Sequence, residues 1–462
     1  MAAERLEKGT MFSNRDLFAL ILPLVIEQFL AVAVGMADTA MVAGVGEAAV
    51  SAVSLVDSIN TLLIQLFSAM ATGGSIIAAQ YIGHQDIKNA CDSAKQLFLS
   101  ILVVSLLVGG AAVIFNRPLL QGIFGSLDAD TMDKARAYFF WSAISYPFLA
   151  LYNSGAGLMR AMGRTNSTMI VSLVMNVVNI IGNYFLINET HAAFGITVFG
   201  AGLGVSGAAI ASLAARALAA LLMIRMLLNQ SLPLHLSRPF KLTFDLPMIK
   251  RIMSIGLPNG MENSLFQVGK LIIARIISTF STSVIAAHSI ACSISSLVNL
   301  PGTAIGLATV TVIGQCMGAG ELKQARYYAR KLMGLLQLFT MPTNLALLFF
   351  TPVFVNIFGL SAEGSAVAVS VLKGYAIFSI IFYMLSFGLP NVLRAAGDVR
   401  FTMVVSITSI LTCRLALSYL FVYAFHWDLD GVWLAMYCDW IVRCICFALR
   451  YRSGKWQQHK II

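Results

Sequence analysis

Asp38 stands alone in the apolar stretch FLAVAVGMADTAMVAG, with no Lys or Arg within a helical turn. A carboxylic acid in such a setting favours its neutral form unless a cation compensates it. Asp38 can therefore take up and give back a proton, or equally serve as an anionic ligand for sodium. A second polar set lies in SLVMNVVNIIGNYFLI, where Asn176, Asn179 and Asn183 are spaced by three and four residues and share one helical face. Their amide oxygens can coordinate a cation or their amide protons can hold a carboxylate. The competing reading is hydrogen-bonding glue between helices. Asn153 can join either role. Glu27 sits eleven residues before Asp38, on nearly the same face but about 16 Å away along the axis, so the two cannot share one ion. Glu262, followed by Asn263, Gln267 and Lys270, reads as the wall of a substrate cavity or as a structural network, with Glu262 and Lys270 able to neutralise one another through a neighbour. Tyr383 and Arg414 complete the expected cavity set.

The chain that must position these groups has 462 residues, 58% of them hydrophobic and only 11% charged. A soluble globular protein carries about 25% charged residues, so this chain cannot cover a water-facing surface of its own size. A soluble enzyme, a nucleic-acid-binding domain, a disordered protein and a secreted disulfide scaffold are excluded, and a multi-pass membrane protein remains. Stretches long enough to span a bilayer run near 16–43, 50–82, 92–115, 135–160, 166–188, 200–228, 248–278, 284–316, 328–358, 366–394, 401–425 and 430–450. The fold expected is all-α, with twelve transmembrane helices. The polar stretch before the first has no cleavable signal pattern.

The net charge of +10 reads as topology. Arg5, Lys8, Arg15, Lys88, Lys95, Arg160, Arg164, Arg238, Lys241, Lys250, Arg251, Lys323, Arg326, Arg394, Arg400, Arg450 and Lys455 collect in alternate loops. Glu47, Asp128, Asp130, Glu189, Asp428 and Asp430 lie in the others. By the positive-inside rule both termini are expected in the cytoplasm.

The chain also repeats. Pro23 and Glu27 recur as Pro258 and Glu262, and QYIGHQDIKNA (80–90) as QCMGAGELKQA (315–325), both 235 residues later. RAMG (160–163) recurs as RAAG (394–397) at 234, and Gly204, Ala208 and Arg216 recur as Gly431, Ala435 and Arg443 at 227. Two parallel six-helix repeats are expected, 1–228 and 248–462, joined by a cytoplasmic linker at 229–247. Such lobes give alternating access to a cavity at their interface. No nucleotide-binding loop is present, so transport must couple to an ion gradient. The lobes differ chemically: at an offset of 234, Asn179 and Asn183 fall on Cys413 and Leu417, beside Arg414. Seven cysteines, including Cys444 and Cys446, show no disulfide or zinc spacing. The 21 methionines and the 10% aromatic content suit a promiscuous apolar cavity, although packing explains most of them singly.

Taken together, the chain resembles the multidrug and toxic compound extrusion (MATE) family of secondary transporters. The resemblance rests on the two repeats, LPLVIEQFLAVAVGMADTAMVAG, QYIGHQD, RAMGRTNST, NVVNIIGN, QCMGAGE, RAAGD and CRLALSYL. It implies a V-shaped, two-lobe antiporter in the cell membrane, exporting organic cations against inward sodium or protons. Asp38 would be the coupling carboxylate, faced by Asn179 and Asn183. One branch of the family has a carboxylate where this chain has Asn183, and losing that charge favours protons over a sodium site at Asp38. Another branch couples through acids in the seventh and tenth helices, but here the tenth, FSIIFYMLSFGLPNVL, has none. The first lobe is therefore expected to do the coupling, with no cofactor, no other metal, no nucleic acid and no enzymatic reaction, in a monomer. The competing function is a flippase for a lipid-linked precursor, which would need a cationic cluster; Lys270, Arg275 and Arg414 are its candidates.

Overall fold

The computed structural model of the chain describes residues 10–125, 128–193, 196–236 and 243–459. Arg5, Lys8, Arg238 and Lys241 of the expected charge pattern lie outside them, as does the middle of the 229–247 linker. The structure is a succession of long helices: α1 (Asn14–Ala43), α2 (Glu47–Gly83), α3 (Ile87–Ile114), the short α4 (Asn116–Phe124), α5 (Ala129–Ala161), α6 (Thr165–Ile187) and α7 (Gly204–Leu227). There follow α8 (Leu246–Ile277), α9 (Thr282–Val298), α10 (Leu300–Gly318), α11 (Leu322–Asn356), α12 (Ala362–Ala395), α13 (Val399–Ala424) and α14 (Leu429–Arg452). Ten helices among the described residues are long and apolar enough to cross a membrane. Helices satisfy their own backbone groups, which hydrocarbon cannot do.

Three local features depart from the uniform helices expected. The eighth expected segment, 284–316, is broken into α9 and α10 at Asn299, because Pro301 in the first turn of α10 has no N–H to continue a ladder. The Asn299 amide donates to the Tyr375 hydroxyl at this break. An antiparallel hairpin, β1 (Glu189–Ala193) and β2 (Ile196–Ala201), joins α6 to α7. Finally, π-helical turns occupy Met384–Gly388 within α12, and Ile410–Ala416 and Leu420–Ala424 within α13. The first directly precedes Pro390, whose missing N–H loosens the ladder there.

By their contacts, residues group into two compact units. One, the first unit, comprises Ile26–Ile82 and Asp86–Gly260; the second comprises Met1–Val25, Gly83–Gln85 and Met261–Ile462. The division thus runs through α1 and α8 rather than through the 229–247 linker. In the second unit Leu17, Leu20 and Leu24 of α1 pack with Ile305, Tyr328, Leu332 and Leu393. In the first unit Phe67, Ile101, Phe139 and Tyr146 form the core.

Small residues set the closest approaches, as they do when apolar side chains gain nothing from leaving lipid. In the first unit α2 meets the beginning of α8 at glycine on glycine: a Cβ on Gly73 would stand 2.6 Å from the Gly256 nitrogen. Gly73→Leu is therefore expected to destabilise the protein by at least about 1–3 kcal/mol, the usual penalty of overpacking. A thermal melt in detergent checks this, and an unchanged midpoint would contradict the close approach.

Candidate functional site

The first unit brings Asp38 of α1 against the asparagine face of α6. Asn183 Nδ2 donates to Asp38 Oδ1 at 2.6 Å. The same nitrogen lies 3.4 Å from Asn179 Oδ1, and Asn179 Nδ2 in turn donates to Ser212 Oγ of α7 at 3.0 Å. Asn176, Asn179 and Asn183 are all buried, at 5%, 5% and 1% exposure, as one helical face should be. The buried Asn183 Oδ1 has no hydrogen-bond partner, so an acceptor remains beside the acid.

Asp38 and Asn183 line a cavity of about 80 Å³ together with Thr39, Asp57, Tyr138 and Ser212. Asp57, on α2, is the residue that sequence reasoning missed. Its Oδ1 accepts from Asn60 Nδ2 at 3.0 Å and from the Tyr138 hydroxyl at 3.2 Å. Asn60 is fixed by the Tyr146 hydroxyl, which donates to Asn60 Oδ1 at 2.7 Å. The polar part of its wall is two carboxylates, an amide and hydroxyls, beside the apolar Val42, Val53 and Ala208, with no Lys or Arg among its lining residues. Oxygen donors of this kind suit a hard cation or a proton shared between carboxylates. The signal for Asp57 was in the sequence: a second acid in an apolar run, SAVSLVDSIN.

Not every expected residue joins this site. Asn176 lies one turn from Asn179 with its Nδ2 unpartnered and does not line the cavity. Asn153, half-buried on α5, does not line it either. Glu27 is closed off by an ion pair: Arg160 Nη1 donates to its Oε1 at 3.2 Å and Thr168 Oγ1 to its Oε2 at 2.7 Å.

The second unit repeats that pair. Arg394 Nη2 donates to Glu262 Oε1 at 2.6 Å, so Glu262 is neutralised by Arg394 and not through Lys270 as the sequence suggested. The reason is reach: Arg394 crosses from α12, whereas Lys270 lies two turns along the same helix and rests over the Phe266 ring at 5.1 Å. Glu262, Asn263, Tyr383, Asn391 and Arg394 line a cavity of about 290 Å³. A neighbouring cavity of about 240 Å³ is lined by Lys270, His288, Tyr383, Arg414, Trp433 and Trp440, among others. Gln267, half-buried on α8, lines neither. Arg414 faces Asp439 at 3.8 Å, and the fully buried Asp439 also accepts from Arg443 Nε at 2.8 Å and from Ser409 Oγ at 2.5 Å.

These features agree with comparisons against known proteins. The MatE family model matches residues 23–185 and 258–420, once in each repeat. The chain is 27% identical over 443 residues to the uncharacterized transporter YisQ of Bacillus subtilis, covering 96% of this chain and 95% of that one. It is 25% identical to the probable multidrug resistance protein NorM of Thermotoga maritima, over 97% and 94% of the two chains. A crystal structure of a MATE transporter in its bent conformation superposes with a TM-score of 0.86 at 18% identity, covering 96% of each chain. With the repeat, the apolar helices and matches running nearly end to end, the chain belongs to the MatE family of membrane transporters.

Proposed function

We propose that the chain exports organic, mostly cationic compounds across the cell membrane by alternating access, in exchange for an inward cation, and that both termini lie in the cytoplasm. The observation that carries this reading is the pairing of Asp38 and Asp57 around one small cavity. Asp38 is the coupling group. Ionised, it accepts from Asn183 Nδ2; protonated, it can donate to an acceptor such as the unpartnered Asn183 Oδ1. The site is thus satisfied in both charge states, which exchange requires. Asn179 braces Asn183, and Asp57 with Tyr138 forms the opposite wall. Sodium could use the same oxygens, but where a further carboxylate would strengthen a sodium site this chain has the neutral amide of Asn183, so protons are the favoured coupling ion. The cavity around Glu262, Asn263 and Tyr383 is the candidate for substrate contact. The chain acts as a monomer and needs no cofactor beyond the coupling ion.

Ethidium efflux from proteoliposomes, with pH and sodium gradients imposed separately, tests this. A pH gradient alone is expected to drive efflux, and a sodium gradient alone is not. Sodium-only efflux would replace the proton in the scheme. Efflux under neither gradient would overturn the antiport reading.

A further inference from the structure

Between Glu27/Glu262 and Gln80/Gln315 the repeat holds one constant offset of 235 residues. Six residues lining the Asp38 cavity fall inside that interval: Gly35, Asp38, Thr39, Val42, Val53 and Asp57. The counterparts of Gly35, Asp38, Val53 and Asp57 are Lys270, Ile273, His288 and Cys292, and these four line the 240 Å³ cavity of the second unit. The fold therefore builds the same cavity twice and inverts its charge. Two carboxylates face the first. Lys270 and Arg414 face the second, and no acid is among its lining residues.

The second cavity's cations are under-compensated. The Lys270 ammonium and the Arg414 guanidinium both sit over the Phe266 ring, at 5.1 and 5.0 Å from its centroid. The acid described beside Arg414 is Asp439, whose Oδ1 is taken by Arg443 and Ser409, and Arg414 Nη1 stands 3.8 Å from its Oδ2, too far for a hydrogen bond. Arg414 Nε is buried and has no partner, and neither has the indole N–H of Trp440 in the same wall. Buried donors without acceptors are expensive and uncommon. A carboxylate entering the cavity would neutralise the paired cations at its wall. The remaining wall is aromatic, with Tyr375, Trp433 and Trp440, and suits a flat ring better than an inorganic anion. Arg414 is carried by the π-helical turn Ile410–Ala416, a distortion often found where a helix presents a functional side chain.

We propose that this cavity is an anion site that binds aromatic organic acids, with the carboxylate on Lys270 and Arg414 and the ring against Phe266 and the tryptophan wall. It widens the substrate range of the transporter to aromatic acids, and it does not depend on which ion is coupled at Asp38.

The test uses the full chain in nanodiscs of zwitterionic phosphatidylcholine. Energy transfer from protein tryptophan reports binding of 9-anthracenecarboxylate, its methyl ester and 9-anthracenylmethylammonium. The carboxylate is expected to bind about 10-fold or more tightly than the other two, the usual scale of a hydrogen bond to a charged group. Lys270→Gln and Arg414→Gln should each weaken the carboxylate by a similar factor. Because Arg414 is buried beside Asp439, its variant can lose the fold. Lys270 is exposed with no described hydrogen bond, so its variants keep the test decisive. Lys270→Glu should favour the ammonium probe over the carboxylate. Equal binding of the three probes by the wild type, unchanged carboxylate affinity in Lys270→Gln, or an unchanged order in Lys270→Glu would each overturn the proposal.

Discussion

Asp38→Asn is expected to abolish gradient-driven efflux of organic cations, lowering the coupled rate by about 100-fold, near the upper end of common coupling free energies. The substitution is nearly isosteric. An asparagine at 38 can still present its carbonyl oxygen to Asn183 Nδ2, replacing the 2.6 Å hydrogen bond that Asp38 now accepts. The fold should therefore survive, and what disappears is the change of charge. A carrier whose two states are bound equally well by the driving ion gains nothing from a gradient. The variant should also lose the pH dependence of substrate binding: wild-type affinity for ethidium should fall as pH falls and Asp38 takes up its proton, whereas the variant's should stay flat. Coupled efflux at the wild-type rate in Asp38→Asn would remove Asp38 from the coupling role. Asp57→Asn, which keeps the bonding pattern with Asn60 and Tyr138, would then be the variant to examine.

Much of this site was legible from the chain alone, for a physical reason. A lone acid in hydrocarbon is costly, so Asp38 announces itself, and a spacing of three and four residues places Asn176, Asn179 and Asn183 on one face without any knowledge of neighbours. The unread part depends on which helices touch. Asp57 joins Asp38 only because α1 and α2 fold back beside α6, an adjacency that periodicity does not encode. Asn153 is a candidate by residue type, yet it is not among the residues lining the Asp38 cavity. The partners of Glu27 and Glu262 were also present in the sequence, as the first residues of RAMG and RAAG. Those arginines read as topology because loop cations usually are. The broken eighth segment and the π turn of α12 escaped for a different reason: they arise where Pro301 and Pro390 remove single hydrogen bonds, and hydropathy is blind to that.

Breaking either Glu–Arg pair should be the most damaging change to stability. Glu27 and Arg160 have side chains 9% and 19% exposed, and Glu262 and Arg394 7% and 15%. Removing one partner leaves a largely buried charge uncompensated, which costs about 3–5 kcal/mol. Arg160→Gln and Arg394→Gln are expected to lose that amount, seen as a lower melting temperature and reduced yield of folded protein in detergent. The double variants Glu27→Gln/Arg160→Gln and Glu262→Gln/Arg394→Gln should recover most of it, because neither ion then has to be desolvated. The two lobes should differ in one respect. Glu27 has both carboxylate oxygens engaged, by Arg160 and Thr168. Glu262 Oε2 is unpartnered, and Glu262 lines the 290 Å³ cavity. Neutralising the first pair should thus affect stability alone, whereas neutralising the second should also weaken binding of cationic substrates. Single arginine variants that melt like the wild type would show the pairs to be water-screened and structurally idle. A stable Glu262→Gln/Arg394→Gln protein with undiminished affinity for ethidium would confine both pairs to folding.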